Sequence, residues 1–310
     1  MGWLMKLYQL WQNNYRNCRY MEFLSKTELE ERKNDIFSNA ITLSDQGQIS
    51  LHDIYGQGEY WMQLWTHILV EFQLRYGPHP NGFTNGFIAN PQIVKPTYPE
   101  PPNAFKAIQA IGGCKEGAIY KFGKYKHLKE MFEKGEIRIA PASFYNDPSL
   151  NNAIRDDELS IGVHRRADRI AITQMNGSKI PAFGNVRFRL ESKTNYYVHC
   201  FATNYTNREF DDFDADSCIV IYEPRLLFQK MMKAVKQLKP EFDGFASSVT
   251  YIDPLNVDPK NVDIFFAKHF KYSYQNEVRT IWLPKAPLTS LEPFFISVGE
   301  MKNYAKILRI

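Results

Sequence analysis

The spacing of apolar residues divides the chain into a helical first quarter and a strand-rich remainder. Leu4, Leu7, Tyr8 and Trp11 recur at helical spacing and predict an amphipathic helix at the start. Gln, Asn and Arg interrupt it every few residues, far short of the roughly 20 continuous apolar residues that a membrane span needs, and it shows no signal-peptide cleavage pattern. This helix is read as packed on its own domain, with a partner-binding helix as the other reading. Thr27 to Glu30 reads as a capping box opening a helix through about Ser38. Glu59 to Tyr76 predicts a further helix with Trp61, Leu64, Trp65, Ile68, Leu69 and Phe72 on one stripe, stopped by Gly77-Pro78. His67 and Glu71, four apart on that helix, suggest a local surface pair or half a metal site.

Residues 77–104 hold seven of the 17 prolines, which marks a linker or arm between a helical accessory region (1–76) and a main domain (105–310). Beyond it the pattern turns to short strands. Ala118–Phe122 and Glu136–Ala140 flank a helix at Tyr125–Lys134 that ends at Gly135, the usual C-terminal cap. Further strands are predicted at Ile170–Thr173, Val186–Leu190, Tyr196–Ala202, Cys218–Tyr222, Ser248–Tyr251 and Glu277–Leu283, and helices at Arg225–Lys236 and Pro259–Phe270. The predicted class is α+β.

With 310 residues, 44% of them hydrophobic and 15% aromatic, the chain can bury a sizeable core. A net charge of +4 permits a nucleic-acid partner without demanding one. Cys18, Cys114, Cys200 and Cys218 are scattered without a CxxC, the usage of a reduced, cytoplasmic protein. The acidic run Glu209, Asp211, Asp212, Asp214 and Asp216 lacks the glycine and closing glutamate of a calcium loop and reads as a solvated loop; no metal is expected. There is no GxxxxGK[ST], no strand-to-helix GxGxxG and no GxSxG.

What remains is an ordered set of motifs: Ile119-Tyr120-Lys121-Phe122, then Pro141 to Pro148 (PASFYNDP), then Cys200-Phe201-Ala202-Thr203, and last Tyr274 to Arg279 (YQNEVR). This order resembles a bacterial family of uncharacterised proteins with LYKY, SxxxFNDP and YxxExR motifs, over about residues 118–283. That layout is in turn similar to ADP-ribosyltransferase-fold toxins and phage-defence effectors. The resemblance implies a split mixed or antiparallel sheet around a nicotinamide cleft, with an N-terminal helical segment. It implies NAD as substrate, a nucleic-acid or protein acceptor, and a neutralising antitoxin partner. Glu277 matches the catalytic glutamate, and Gln275, two residues before it, the acceptor-selecting position. Ser143 or Tyr145 matches the middle motif. Tyr120 and Lys121 stand on the first strand, where lysine replaces the expected His or Arg and lacks the planar fork of arginine.

The residues carry physical readings of their own. On a strand, Gln275 and Glu277 would share one face and Val278, Thr280 and Trp282 the other. A fixed carboxylate beside C1′ favours the positive charge that builds as a glycosidic bond breaks. The plainer reading makes Glu277 a surface strand residue paired with Arg279 or a lysine. Asn146-Asp147-Pro148 reads first as a turn. Lys121, Lys124, Lys126, Lys129, Arg138 and Arg155 suit NAD phosphates or an RNA or DNA acceptor, or else the solvated face of one helix. The alternatives to transfer are an NAD glycohydrolase or nuclease on the same cleft, or a non-catalytic partner-binding module.

Overall fold

The computed structural model describes residues 2–43, 49–53, 55–77, 101–151, 153–166, 170–181 and 185–310. Three helices come first: α1 (Gly2–Cys18), α2 (Lys26–Ala40) and α3 (Gln57–Tyr76), with the short strands β1 (Ile41–Leu43) and β2 (Ile49–Leu51) between the last two. Most of the proline-rich arm, residues 78–100, lies outside the described residues; its last residues open α4 (Pro101–Ala110). There follow β3 (Ile119–Gly123), α5 (Tyr125–Lys134), β4 (Glu136–Pro141) and a 3-10 turn (Ala142–Asn146). Two hairpins are built from β5 (Ser160–Arg166), β6 (Ile172–Thr173), β7 (Lys179–Ile180) and β8 (Asn185–Glu191). Next are β9 (Tyr197–Ala202), α6 (Asn207–Asp212), β10 (Ser217–Ile221), α7 (Pro224–Leu238), β11 (Phe242–Ser248) and β12 (Thr250–Ile252). The chain closes with β13 (Ala267–His269), a 3-10 turn (Phe270–Gln275), β14 (Glu277–Pro284), β15 (Phe294–Ser297) and β16 (Ala305–Arg309).

The class is α+β and the pairing mostly antiparallel. The main sheet runs β11-β14-β9-β3-β10-β16, every pair antiparallel. It forks at β9. One edge of β9 pairs along its length with β14, while its other edge is shared: β3 pairs at Ala202, and β4 pairs at Val198 and Tyr197, carrying β15 beyond it. One face of the sheet is covered by α5 and α7, whose Leu128, Met131, Leu227, Met231 and Val235 pack against Ile119, Tyr197, Phe201 and Trp282. Gly135 ends α5 at φ +70, and a Cβ there would lie 2.2 Å from the Gly299 carbonyl oxygen, so both backbone shape and space require glycine.

The N-terminal helices form a second core, in which Tyr15, Leu29, Ile36, Trp65 and Ile68 meet Phe270 of the sheet-bearing region. The capping box on α2 stands two residues earlier than the sequence pattern suggests. Ser25 Oγ accepts from the Glu28 amide at 3.2 Å, and Glu28 Oε2 accepts from the Ser25 amide at 2.8 Å. Ser25→Ala is therefore expected to cost about 1 kcal/mol in urea unfolding, and Thr27→Ala a few tenths at most. Nor do His67 and Glu71 form a surface pair: both are buried. Glu71 accepts from the Tyr15 hydroxyl at 2.5 Å and from Arg19 and Arg75, and His67 Nδ1 meets the Tyr20 hydroxyl at 3.1 Å.

The largest departure concerns 259–270, where the pattern predicts a helix. A 3-10 turn (Pro259–Asn261) is followed by β13, which pairs parallel with β12 and places Lys268 opposite Tyr251. Among the described residues, no helix is long and apolar enough to cross a membrane.

Candidate active site

The fork in the sheet leaves a cavity of about 300 Å³ where β3 and β4 part on β9. Tyr120, Lys121, Tyr145, Gln275 and Glu277 all line it, so the structure brings together five of the six residues singled out in the sequence. Ser143 is not among them. It is exposed, and its hydroxyl accepts from Asn195 Nδ2 at 2.8 Å, which ties the 3-10 turn to the start of β9.

Glu277 begins β14, and Gln275 ends the 3-10 turn before it; Asn276 between them is left-handed at φ 42. The two side chains are therefore not neighbours on one strand face as the period of two predicts. They converge because the turn and the left-handed residue swing Gln275 onto the same cation, Lys268. Its Nζ lies 3.0 Å from Gln275 Oε1 and 3.1 Å from Glu277 Oε2. On the other side of Glu277, Arg279 Nε reaches Oε1 at 3.3 Å. Glu277 is thus paired with Arg279 and a lysine, but at 6% exposure it is no surface residue. The backbone is fixed as well, since the Glu277 amide donates to the Tyr251 hydroxyl at 2.8 Å.

Arg279 also grips Glu158 with both terminal nitrogens, at 2.7 and 3.0 Å. Asp156 and Glu158 lie 3.9 and 4.0 Å from Lys268. Burial opposes the charge on Glu277, but Lys268 and Arg279 more than offset it and hold the carboxyl at about 2. Burial likewise opposes the charge on Lys268, yet Glu277, Glu158 and Asp156 keep it well above the usual ammonium range. Glu158 is pushed up to about 7 by burial against the pull of Arg279 and Lys268. Two cations face three carboxyls, so the cluster carries a net negative charge when all are ionised.

Lys121 fills the fork itself. Its Nζ donates to the Cys200 carbonyl at 2.8 Å, between the Val198 position held by β4 and the Ala202 position held by β3. Burial lowers its pKa. Tyr120 packs beside Tyr205, with ring centroids 5.7 Å apart. Tyr145 and Phe144 form an edge-to-face pair, and the Arg138 guanidinium lies 4.6 Å over the Phe144 ring. Of the basic residues picked out in the sequence, Lys121 and Arg138 reach the cavity, while Lys126 and Lys129 are exposed on α5.

Gln275 is bonded at both ends, donating from Nε2 to the Ala153 carbonyl at 2.8 Å. Sequence reasoning missed Lys268, Asp156 and Glu158 as partners of the site. It also placed Glu209 in a solvated loop, whereas Glu209 is 1% exposed on α6 and lines the cavity. A larger cavity of about 600 Å³ lies across the 273–277 segment, lined by Tyr60, Trp61, Asn204, Arg208, Tyr274 and Asn276 among others. No group of three or more His, Cys, Asp or Glu side chains among the described residues is placed to hold a metal ion.

The cavity therefore offers a carboxylate held by two buried cations, one of which, Lys268, also lines the cavity, and aromatic rings for a flat group. Comparison with protein families, curated proteins and solved structures found no match.

Proposed function

We propose that this chain cleaves the nicotinamide–ribose bond of NAD in the fork cavity and transfers ADP-ribose to a macromolecular acceptor, a nucleic acid or a protein. The observation that carries this reading is the convergence of Glu277, fixed and ionised, with Tyr120, Lys121, Tyr145 and Gln275 on one cavity. A carboxylate there faces the positive charge that develops on C1′ and accepts from the ribose 2′-hydroxyl. At about 300 Å³ the cavity suits the nicotinamide–ribose half and not the whole dinucleotide. Phe144 and Tyr145 offer rings to the nicotinamide. Gln275, committed to Lys268 and Ala153, acts on the acceptor only by holding this wall in place. By analogy with the resembled family, the setting is that of a cytoplasmic toxin or phage-defence effector restrained by an antitoxin protein.

Incubating the protein with NAD labelled in the adenylate tests this reading. The expected result is release of nicotinamide with label carried into a macromolecule supplied from a cell extract. Label appearing only as free ADP-ribose makes the protein a glycohydrolase. NAD left intact, with or without nucleic-acid breakage, overturns the reading.

A further inference from the structure

One buried acid in the cavity has no part in holding Glu277. Glu209 sits on α6, and the neighbouring Phe210 anchors that helix, meeting Phe122 edge-to-face at 5.0 Å and Tyr205 at 5.7 Å. Glu209 is 1% exposed, lines the cavity with Glu277 and Lys121, and its buried Oε1 has no hydrogen-bonding partner. The groups facing it are Arg208 and Asp212 of α6, Lys121 of β3, Cys218 of β10, Tyr251 of β12 and Glu277 of β14. Burial, then Asp212 and Glu277, raise its carboxyl well above the ordinary range, outweighing Arg208 and Lys121. A carboxyl that keeps its proton is a hydrogen-bond donor as well as an acceptor. A buried carboxyl oxygen without a partner costs free energy until it meets one.

We propose that Glu209 is a substrate-recognition residue, presenting its O–H to the carbonyl oxygen of a carboxamide bound in the fork cavity. This rests on reading the cavity as a nicotinamide–ribose site. It adds an anchor for the carboxamide oxygen, while the ionised Glu277 beside it disfavours the carboxylate of nicotinic acid adenine dinucleotide.

The test is titration calorimetry of both dinucleotides with the unaltered protein, Glu209→Ala and Glu209→Gln. The unaltered protein binds NAD more tightly than the nicotinic acid form. Glu209→Gln keeps an N–H donor and stays within about threefold for NAD, whereas Glu209→Ala loses about tenfold for NAD and keeps the preference that rests on Glu277. As pH rises, NAD binding by the unaltered protein weakens as the Glu209 proton leaves, and Glu209→Gln escapes that loss. Glu158 titrates near neutrality in both proteins, which makes Glu209→Gln the reference. Glu209→Ala breaks no bond at Oε1, and a thermal melt of each variant separates loss of binding from loss of packing. If Glu209→Ala binds NAD as tightly as the unaltered protein, or if both variants lose affinity equally, the Glu209 assignment alone falls. If the unaltered protein binds neither dinucleotide, the nicotinamide reading falls with it.

Discussion

Glu277→Gln should give a folded protein that releases nicotinamide from NAD roughly 10²- to 10³-fold more slowly than the unaltered chain. The substitution removes the charge that the proposed reaction sets against C1′ and keeps an oxygen for Lys268 or Arg279. Folding should survive because the substitution brings the cluster into balance: Lys268 and Arg279 are then matched by Asp156 and Glu158. Removing a cation instead, as in Lys268→Met, sets one cation against three carboxyls and should destabilise the fold as well as the reaction. Nicotinamide release measured beside a thermal melt separates the two effects. Release by Glu277→Gln within a few-fold of the unaltered rate would remove Glu277 from the chemistry. The pH dependence adds a check. A carboxyl held at about 2 stays ionised through the mildly acidic range, so Glu277 causes no loss of rate there. Its depressed value also means that its contribution to stability is complete above the unfolded carboxyl range and fades as pH falls through about 2.

The second large effect lies at the junction of the helices with the sheet. Arg32→Ala is expected to cost about 3–5 kcal/mol, because it leaves Asp253 buried without its cation. Arg32 and Asp253 form two parallel bonds of 2.9 and 2.6 Å, at 6% and 7% exposure, and the guanidinium lies 4.9 Å over the Phe270 ring. Lysine at position 32 restores the charge but not the fork, and should recover only part of the loss. Burial opposes the charge of Asp253, but Arg32 lowers its pKa overall. This contribution is therefore present at neutral pH and lost as pH falls below the ordinary carboxylate range. A urea titration followed by tryptophan fluorescence reads it well, since Trp61 and Trp65 sit in the same core. A midpoint within error of the unaltered protein would show that the helices are held by apolar packing alone.

Local order was legible where one element carries its own signal. The apolar stripe and Gly135 define α5 to the residue, and α7 and β14 fall within a few residues of their predicted bounds. The lining of the candidate site was legible in part for the same reason, since Tyr120, Lys121, Tyr145, Gln275 and Glu277 each stand in a local string. What failed depends on partners distant in sequence. Residues 267–269 form a strand because β12 offers a parallel edge, which no periodicity within 259–270 records. Glu71 is buried because Tyr15 and Arg19, more than fifty residues earlier, reach it. Glu209 looked solvated among acidic neighbours because nothing in that run shows that Phe210 pins α6 over β3. Lys268 is nine residues from Glu277 and meets it only after the 3-10 turn doubles the chain back.

The left-handed residue at the centre of the triplet places unequal demands on a changing sequence. At φ 42 position 276 suits asparagine, aspartate or glycine and penalises a branched or bulky side chain. A substitution at 275 alters one wall of the cavity, whereas a branched residue at 276 would turn the carboxylate itself away from its cations. Drift in such a lineage should therefore be freer at the glutamine than at the silent asparagine beside it.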